Sequence, residues 1–123
     1  MAGYSITWHK VFCYQYEHLK KNSLLKRQVD KQLEVIQRNP QQAGAPLRYL
    51  PSDLAGKIRR LYVGGPGKYR MFIKTDDKKQ EVKIGFIDPR LRGKLDYGDL
   101  PLEIFTLPED EIDEKMLRKF LLK

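Results

Sequence analysis

Ile58-Arg59-Arg60-Leu61-Tyr62-Val63, then Lys68-Tyr69-Arg70-Met71-Phe72-Ile73, then Val82-Lys83-Ile84-Gly85-Phe86-Ile87: the fold of this chain turns on these three runs. Each is short, rich in β-branched and aromatic residues, and bounded by turn residues, the pattern of a strand. Gly64-Gly65-Pro66-Gly67 separates the first two, and Asp76-Asp77-Lys78-Lys79 lies before the third, so consecutive hairpins and an antiparallel meander follow. The expected strands cover 58–63, about 68–75 and 81–88. Because alternate strand residues share a face, Arg60 and Tyr62 point one way, and Arg70 lies opposite Tyr69 and Met71. Guanidinium forks bind phosphate and phenol rings stack on bases, so a sheet face carrying both is chemically suited to RNA.

Working outward, Tyr4, Ile6 and Trp8 alternate with polar residues and predict a first strand. Phe12, Tyr16 and Leu19 recur at helical spacing. After Asn22-Ser23, an N-cap signal, Leu25, Val29, Leu33 and Ile36 form a longer apolar stripe that Pro40 ends. Two helices with a short polar link predict a helical hairpin. Residues 40–57 show no clear element. Beyond Gly98, Thr106-Leu107-Pro108-Glu109 has capping-box spacing, and Ile112, Met116, Leu117, Phe120 and Leu121 continue as the stripe of a C-terminal helix. The fold class is therefore α+β: a small antiparallel sheet with the hairpin packed on one face and a C-terminal helix. The opposite face is expected to be free for binding.

The chain has 123 residues, enough for one domain with a modest core, and a formal net charge of +8. Residues 1–50 carry eight Lys/Arg against three Asp/Glu, and residues 51–100 carry twelve against seven. Residues 101–123 reverse the sign, four against six. A basic body of this kind favours a polyanion or an acidic protein as partner. Cys13 is the only cysteine, so no disulfide forms within the chain, and it reads as a small buried residue on an early helix. No run is apolar and long enough to span a membrane and no signal-peptide pattern opens the chain, so a cytoplasmic protein is expected. His9 and His18 lack neighbours at ligand spacing and make a poor metal site. The glycine turn lacks the helix and Lys-Ser/Thr of a P-loop.

The helical hairpin, then Arg60-Leu61-Tyr62-Val63-Gly64, then Lys68-Tyr69-Arg70, resembles the RelE/ParE superfamily of toxin–antitoxin toxins. That family has an arginine-rich strand, a glycine turn and a Tyr-Arg pair opening the next strand. Ile87-Asp88-Pro89-Arg90 and Tyr97 occupy the places of its last strand and the basic and tyrosine residues that follow. The resemblance covers about residues 4–97, leaving 98–123 as an extension of the same domain. RelE members are ribosome-dependent endoribonucleases that cut messenger RNA; ParE members poison DNA gyrase.

The resemblance implies a metal-independent endoribonuclease that needs no cofactor, with a cognate antitoxin, the ribosome and messenger RNA as partners, and a toxin–antitoxin hetero-oligomer as its stored form. The catalytic places fall on Arg70 as phosphate clamp, Arg90 as second clamp or proton donor, Lys68 as base and Tyr97 as base-stacking group. RNA and phosphate contacts fall on Arg60, Arg59, Tyr62, Arg92 and Lys94. Tyr62 stands where some relatives have a second cation, and Asp88-Pro89 replaces their small and basic pair. The long gap from Arg90 to Tyr97 makes Arg92 an alternative to Arg90. Gyrase inhibition by binding, and RNA binding without cleavage, are the rival functions. For the tail three roles are open: covering the active face, forming the groove for an antitoxin helix, or packing on the sheet edge, which is preferred.

Overall fold

The computed structural model describes residues 3–47, 50, 54, 56–64, 69–89 and 101–122. In chain order these form β1 (Ser5–Trp8), α1 (Lys10–Glu17), α2 (Leu24–Arg38), β2 (Ala45–Pro46), β3 (Ile58–Val63), β4 (Tyr69–Asp76), β5 (Glu81–Asp88) and α3 (Glu114–Arg118). Two 3-10 turns, Leu102–Phe105 and Glu109–Glu111, precede α3.

The three central strands form the expected meander, and Asp76 Oδ1 accepts the Lys79 N–H in the β4–β5 turn. The full sheet has the order β1-β5-β4-β3-β2. β1 lies parallel to β5, a pairing that the hairpin α1–α2 makes possible by carrying the chain away from the sheet and back. β2 is a two-residue strand in a stretch whose sequence shows no element. It pairs Ala45 with Arg60 and Pro46 with Arg59, at the sheet edge where a proline without an N–H is tolerated.

Ser23 caps α2 as expected, accepting the Lys26 N–H at 3.1 Å, and Asn39 closes the helix just before Pro40. α2 lays Val29 and Ile36 on one face of the sheet, where Leu61, Val63, Met71, Ile73, Ile84 and Ile87 complete a core with Phe12.

The opposite sheet face is not free. Ile58, Phe72 and Phe86 there are covered by Ile104, Ile112, Leu117 and Phe120 of the tail, with Val11 from α1. The sheet is thus the middle of three layers, and α1 contributes to both cores instead of lying on one face. Three large apolar side chains on the outer face of the sheet cannot be left in water without cost, at about 25 cal/mol for each Å².

Nor is the tail one helix from Pro108. Thr106 Oγ1 bonds back to the Glu103 carbonyl, and the cap of α3 is Asp113, whose Oδ1 accepts the Met116 N–H at 2.9 Å. Glu109 explains the break. Its carboxylate accepts the Lys10 N–H at 2.7 Å and pairs with Lys83 at 3.2 Å, and the Lys10 ammonium donates to the Ile112 carbonyl. The chain therefore follows the N-terminus of α1, Ile112 stays extended and fully buried, and helix starts only afterwards.

Two small features hold the tail in register. Gln15, buried in α1, accepts the Ile87 N–H and donates to both the Ile87 and Phe120 carbonyls at 2.6–2.8 Å. Gly85 sits beside the register shift between β4 and β5, where an added Cβ would lie 2.4 Å from the Phe105 ring and 3.0 Å from the Phe72 carbonyl oxygen. Gly85→Ala is expected to push Phe105 off Phe86 and lower stability by about 1–3 kcal/mol, the usual range for overpacking. A thermal melt checks this, and an unchanged midpoint would refute the packing argument.

Candidate functional site

Strand alternation and cross-strand register assemble the site. Tyr62, Arg70 and Asp88 stand directly opposite one another on β3, β4 and β5, and Arg60, Phe72 and Phe86 form the adjoining row. All six share the tail-covered side of the sheet. The Arg60 guanidinium lies over the Tyr62 ring at 4.7 Å, and that of Arg70 lies 5.8 Å from the same ring. Tyr62, expected to cost the site a cation, is instead the platform that gathers two. Such contacts are worth about 0.5–2 kcal/mol each and hold a planar guanidinium in one orientation.

Arg70 is 5% exposed and Asp88 1% exposed, whereas Arg60 and Tyr62 are half-buried. Arg60 is thus the more open of the two cations, and Arg70 stands deeper, at the edge of the tail-covered core. Arg59 is separated from this set. It points to the helix-covered side of the sheet, where its guanidinium reaches the Gly44 carbonyl at 3.4 Å. Lys68, Arg90, Arg92, Lys94 and Tyr97 lie outside the described residues.

The remaining polar candidates have structural roles. His9 is buried at the start of α1, where its Nδ1 accepts the Val11 N–H at 3.1 Å as an N-cap. Burial, reinforced by Lys83 and opposed by Glu109, pushes its pKa below the ordinary value. Burial also works against the charge of Glu109, but the Lys10 N–H and Lys83 outweigh it and hold that carboxyl below its usual range. The signs separate two pH windows. Below about pH 6.5 the unfolded chain takes up a proton that the folded His9 refuses, so stability falls as pH drops toward the folded value. The Glu109 contribution is present above about pH 4.3 and is lost as pH falls through its lowered folded value. His9→Asn, which keeps a capping acceptor, is expected to flatten the melting temperature between about pH 7 and pH 5 and leave the lower window intact. An unchanged slope in the upper window would refute the assignment to His9.

His18 is exposed, with its ring on Tyr14 and Nδ1 at the Tyr14 carbonyl. Among the described residues, no group of three or more His, Cys, Asp or Glu side chains is arranged to hold a metal. Cys13 is only partly buried; burial, with Glu17 and Glu109 nearby, raises its pKa, the opposite of an activated thiol. None of the described helices is long and apolar enough to cross a membrane. The sequence reading missed Gln15 and the latch role of Glu109. A polar residue amid Phe12, Tyr16 and Leu19 was the available signal for the first. The second has none in sequence, because its partners lie about a hundred residues upstream and on β5.

No family model matches the chain, and no curated protein matches it by sequence. Solved structures do. The isolated RelE toxin of E. coli is 17% identical, with a TM-score of 0.55 over 75% of this chain and 89% of that one. A chain of the intact E. coli RelBE toxin–antitoxin complex is 18% identical, with a TM-score of 0.54 over 73% of this chain and 100% of that one. A chain of the archaeal RelE–RelB complex from Pyrococcus horikoshii is 18% identical, with a TM-score of 0.51 over 76% of this chain and 100% of that one. With its helical hairpin and its β1-β5-β4-β3-β2 sheet, the chain has the fold of the RelE toxins.

Proposed function

We propose that this chain is the toxin of a toxin–antitoxin system, an endoribonuclease that cuts messenger RNA on the ribosome without a metal. The observation that carries the proposal is the gathering of Arg60 and Arg70 on the Tyr62 ring, on one sheet face of a RelE fold. In the reaction the 2′-oxygen bonds to the adjacent phosphorus and the bond to the 5′-oxygen breaks. A base takes the 2′-hydroxyl proton and an acid gives one to the leaving oxygen. Arg70 stabilises the negative charge that builds on the phosphorane oxygens, and Arg60 binds a neighbouring phosphate. Lys68 acts as base and Arg90, or Arg92 in its place, as second clamp or acid. Tyr97 stacks on a base and Lys94 contacts phosphate. The net charge of +8 suits both RNA and an acidic antitoxin that binds and silences the toxin. Complexes of RelE-fold chains with antitoxins support that partner.

A second function, inhibition of a target such as gyrase by binding alone, draws on the burial of Arg70, since a clamp must reach its phosphate. Induced expression with mapping of messenger ends separates the two. Growth arrest with codon-phased cuts supports cleavage. Arrest with intact messenger and an SOS response supports the second function, and no arrest overturns both.

A further inference from the structure

Asp88, the last residue of β5, is 1% exposed and takes no part in the chemistry proposed above. It stands directly opposite Arg70, itself 5% exposed, across the β4–β5 pair. Directly opposed residues of an antiparallel pair share a sheet face, with Cβ atoms about 4.5–5.5 Å apart. The register therefore places a carboxyl group and a guanidinium group within reach of each other, both withdrawn from water. Buried charges of this kind persist when an opposite charge and hydrogen bonds meet them.

The neighbours of Asp88 fix its place. β1 pairs with β5 only as far as Trp8 and Ile84. Further along β5, Gln15 takes over that edge: its carboxamide accepts the Ile87 N–H at 2.8 Å and donates to the Ile87 carbonyl at 2.6 Å. The strand is thereby pinned to α1 one residue before Asp88. One residue after it, the Pro89 ring disfavours helical backbone at Asp88 and keeps the strand end extended. Tyr62, Arg70 and Asp88 thus form one row across β3, β4 and β5, with the Arg70 guanidinium 5.8 Å from the Tyr62 ring on one flank. The other flank belongs to the Asp88 carboxyl group.

We propose that Asp88 is the positioning residue of Arg70. Its carboxylate accepts one fork of guanidinium N–H donors, while the Tyr62 ring supports the guanidinium from the β3 side. The remaining donors are then held in one direction, toward the place of a phosphate. Without Asp88 the cation keeps its charge and loses its orientation, so turnover suffers more than binding. The catalytic part of this inference rests on the toxin reading; the pairing of Asp88 with Arg70 does not.

Thermal melts of a double-mutant cycle test the pairing without RNA. Asp88→Asn is expected to lower the melting temperature of the otherwise unaltered chain. In an Arg70→Ala chain, which strands the buried carboxylate, the same change is expected to raise it. Arg59→Ala, on the other side of the sheet, is expected to be additive with Asp88→Asn. NMR of the unaltered chain is expected to show separate Arg70 Nη signals, because a carboxylate fork hinders rotation about Nε–Cζ; this measurement decides if a variant fails to fold. Equal melting shifts in both backgrounds, or averaged Nη signals, overturn the pairing. With ribosome-bound messenger RNA as substrate, Asp88→Asn is expected to lower kcat about tenfold to 10²-fold with KM within about threefold of the unaltered value. Its effect on the residual activity of Arg70→Ala is expected to stay below about twofold. Unchanged or faster cleavage by a folded Asp88→Asn chain overturns the positioning role. Absence of cleavage by the unaltered chain sinks the toxin reading, while the melts and the Nη signals still decide whether Asp88 holds Arg70.

Discussion

Removal of residues 101–123 is expected to abolish the cooperative thermal transition and yield an aggregating chain, not a more active one. Ile104, Ile112, Leu117 and Phe120 are buried against Phe72 and Phe86 of the sheet, and Phe120 meets Phe86 edge-on at 5.7 Å. Truncating one such side chain to alanine costs about 2–5 kcal/mol, while a whole domain is stable by about 5–15 kcal/mol. Loss of all four, about 8–20 kcal/mol at that rate, is as large as the whole margin. The deletion also leaves Gln15 without its Phe120 acceptor and Lys83 without Glu109. Calorimetry of the truncated chain, together with Phe120→Ala as a milder variant, checks this. A truncated chain that melts cooperatively and cuts RNA faster would mean that the tail is a removable cover, not a layer of the core.

Arg70→Ala is expected to lower RNA cleavage by about 10²–10³-fold, the loss usual when one group aimed at developing charge is removed. Arg70→Lys is expected to recover only part of it, because an ammonium keeps the charge but not the planar fork that reaches two phosphate oxygens. The burial of Arg70 makes a structural control necessary, so melting of each variant is measured beside its activity. Tyr62→Phe serves as the comparison: it keeps the ring on which both guanidinium groups rest and is expected to retain most activity. Wild-type cleavage by a folded Arg70→Ala chain would reduce Arg70 to a structural cation and leave Arg60 as the principal phosphate contact.

Local patterns were readable wherever a residue's environment depends on its neighbours in sequence. The periods of Leu25, Val29 and Ile36 and of β3 to β5 survive folding almost unchanged, as does the Ser23 cap. The shared face of Arg60 and Tyr62, and the opposition of Arg70 to Tyr69 and Met71, also survive, since a strand has only two faces. The tail shows where such patterns end. Thr106-Leu107-Pro108-Glu109 carries a capping signal, but Glu109 finds stronger partners in the Lys10 N–H and the Lys83 ammonium than a helix of its own would supply. Charge-assisted bonds to a distant helix end outweigh a local cap. Ala45–Pro46 shows the same limit in a weaker form, as a two-residue strand that exists only because Arg59 and Arg60 lie beside it.

The sequence by itself determined the meander, the helical hairpin and the shared face of Arg60 and Tyr62, because helix and strand periods and turn chemistry are local properties. Only the tertiary structure decided that β1 lies parallel to β5, that Arg70 of β4 joins the face of Arg60 and Tyr62, and that the tail is a third layer over Phe72 and Phe86. It also decided that Tyr62 gathers two guanidinium groups and that Trp8 stays exposed at an open sheet edge. Each of these depends on which apolar surfaces and charges meet across tens of residues, and burial, not local propensity, sets that choice.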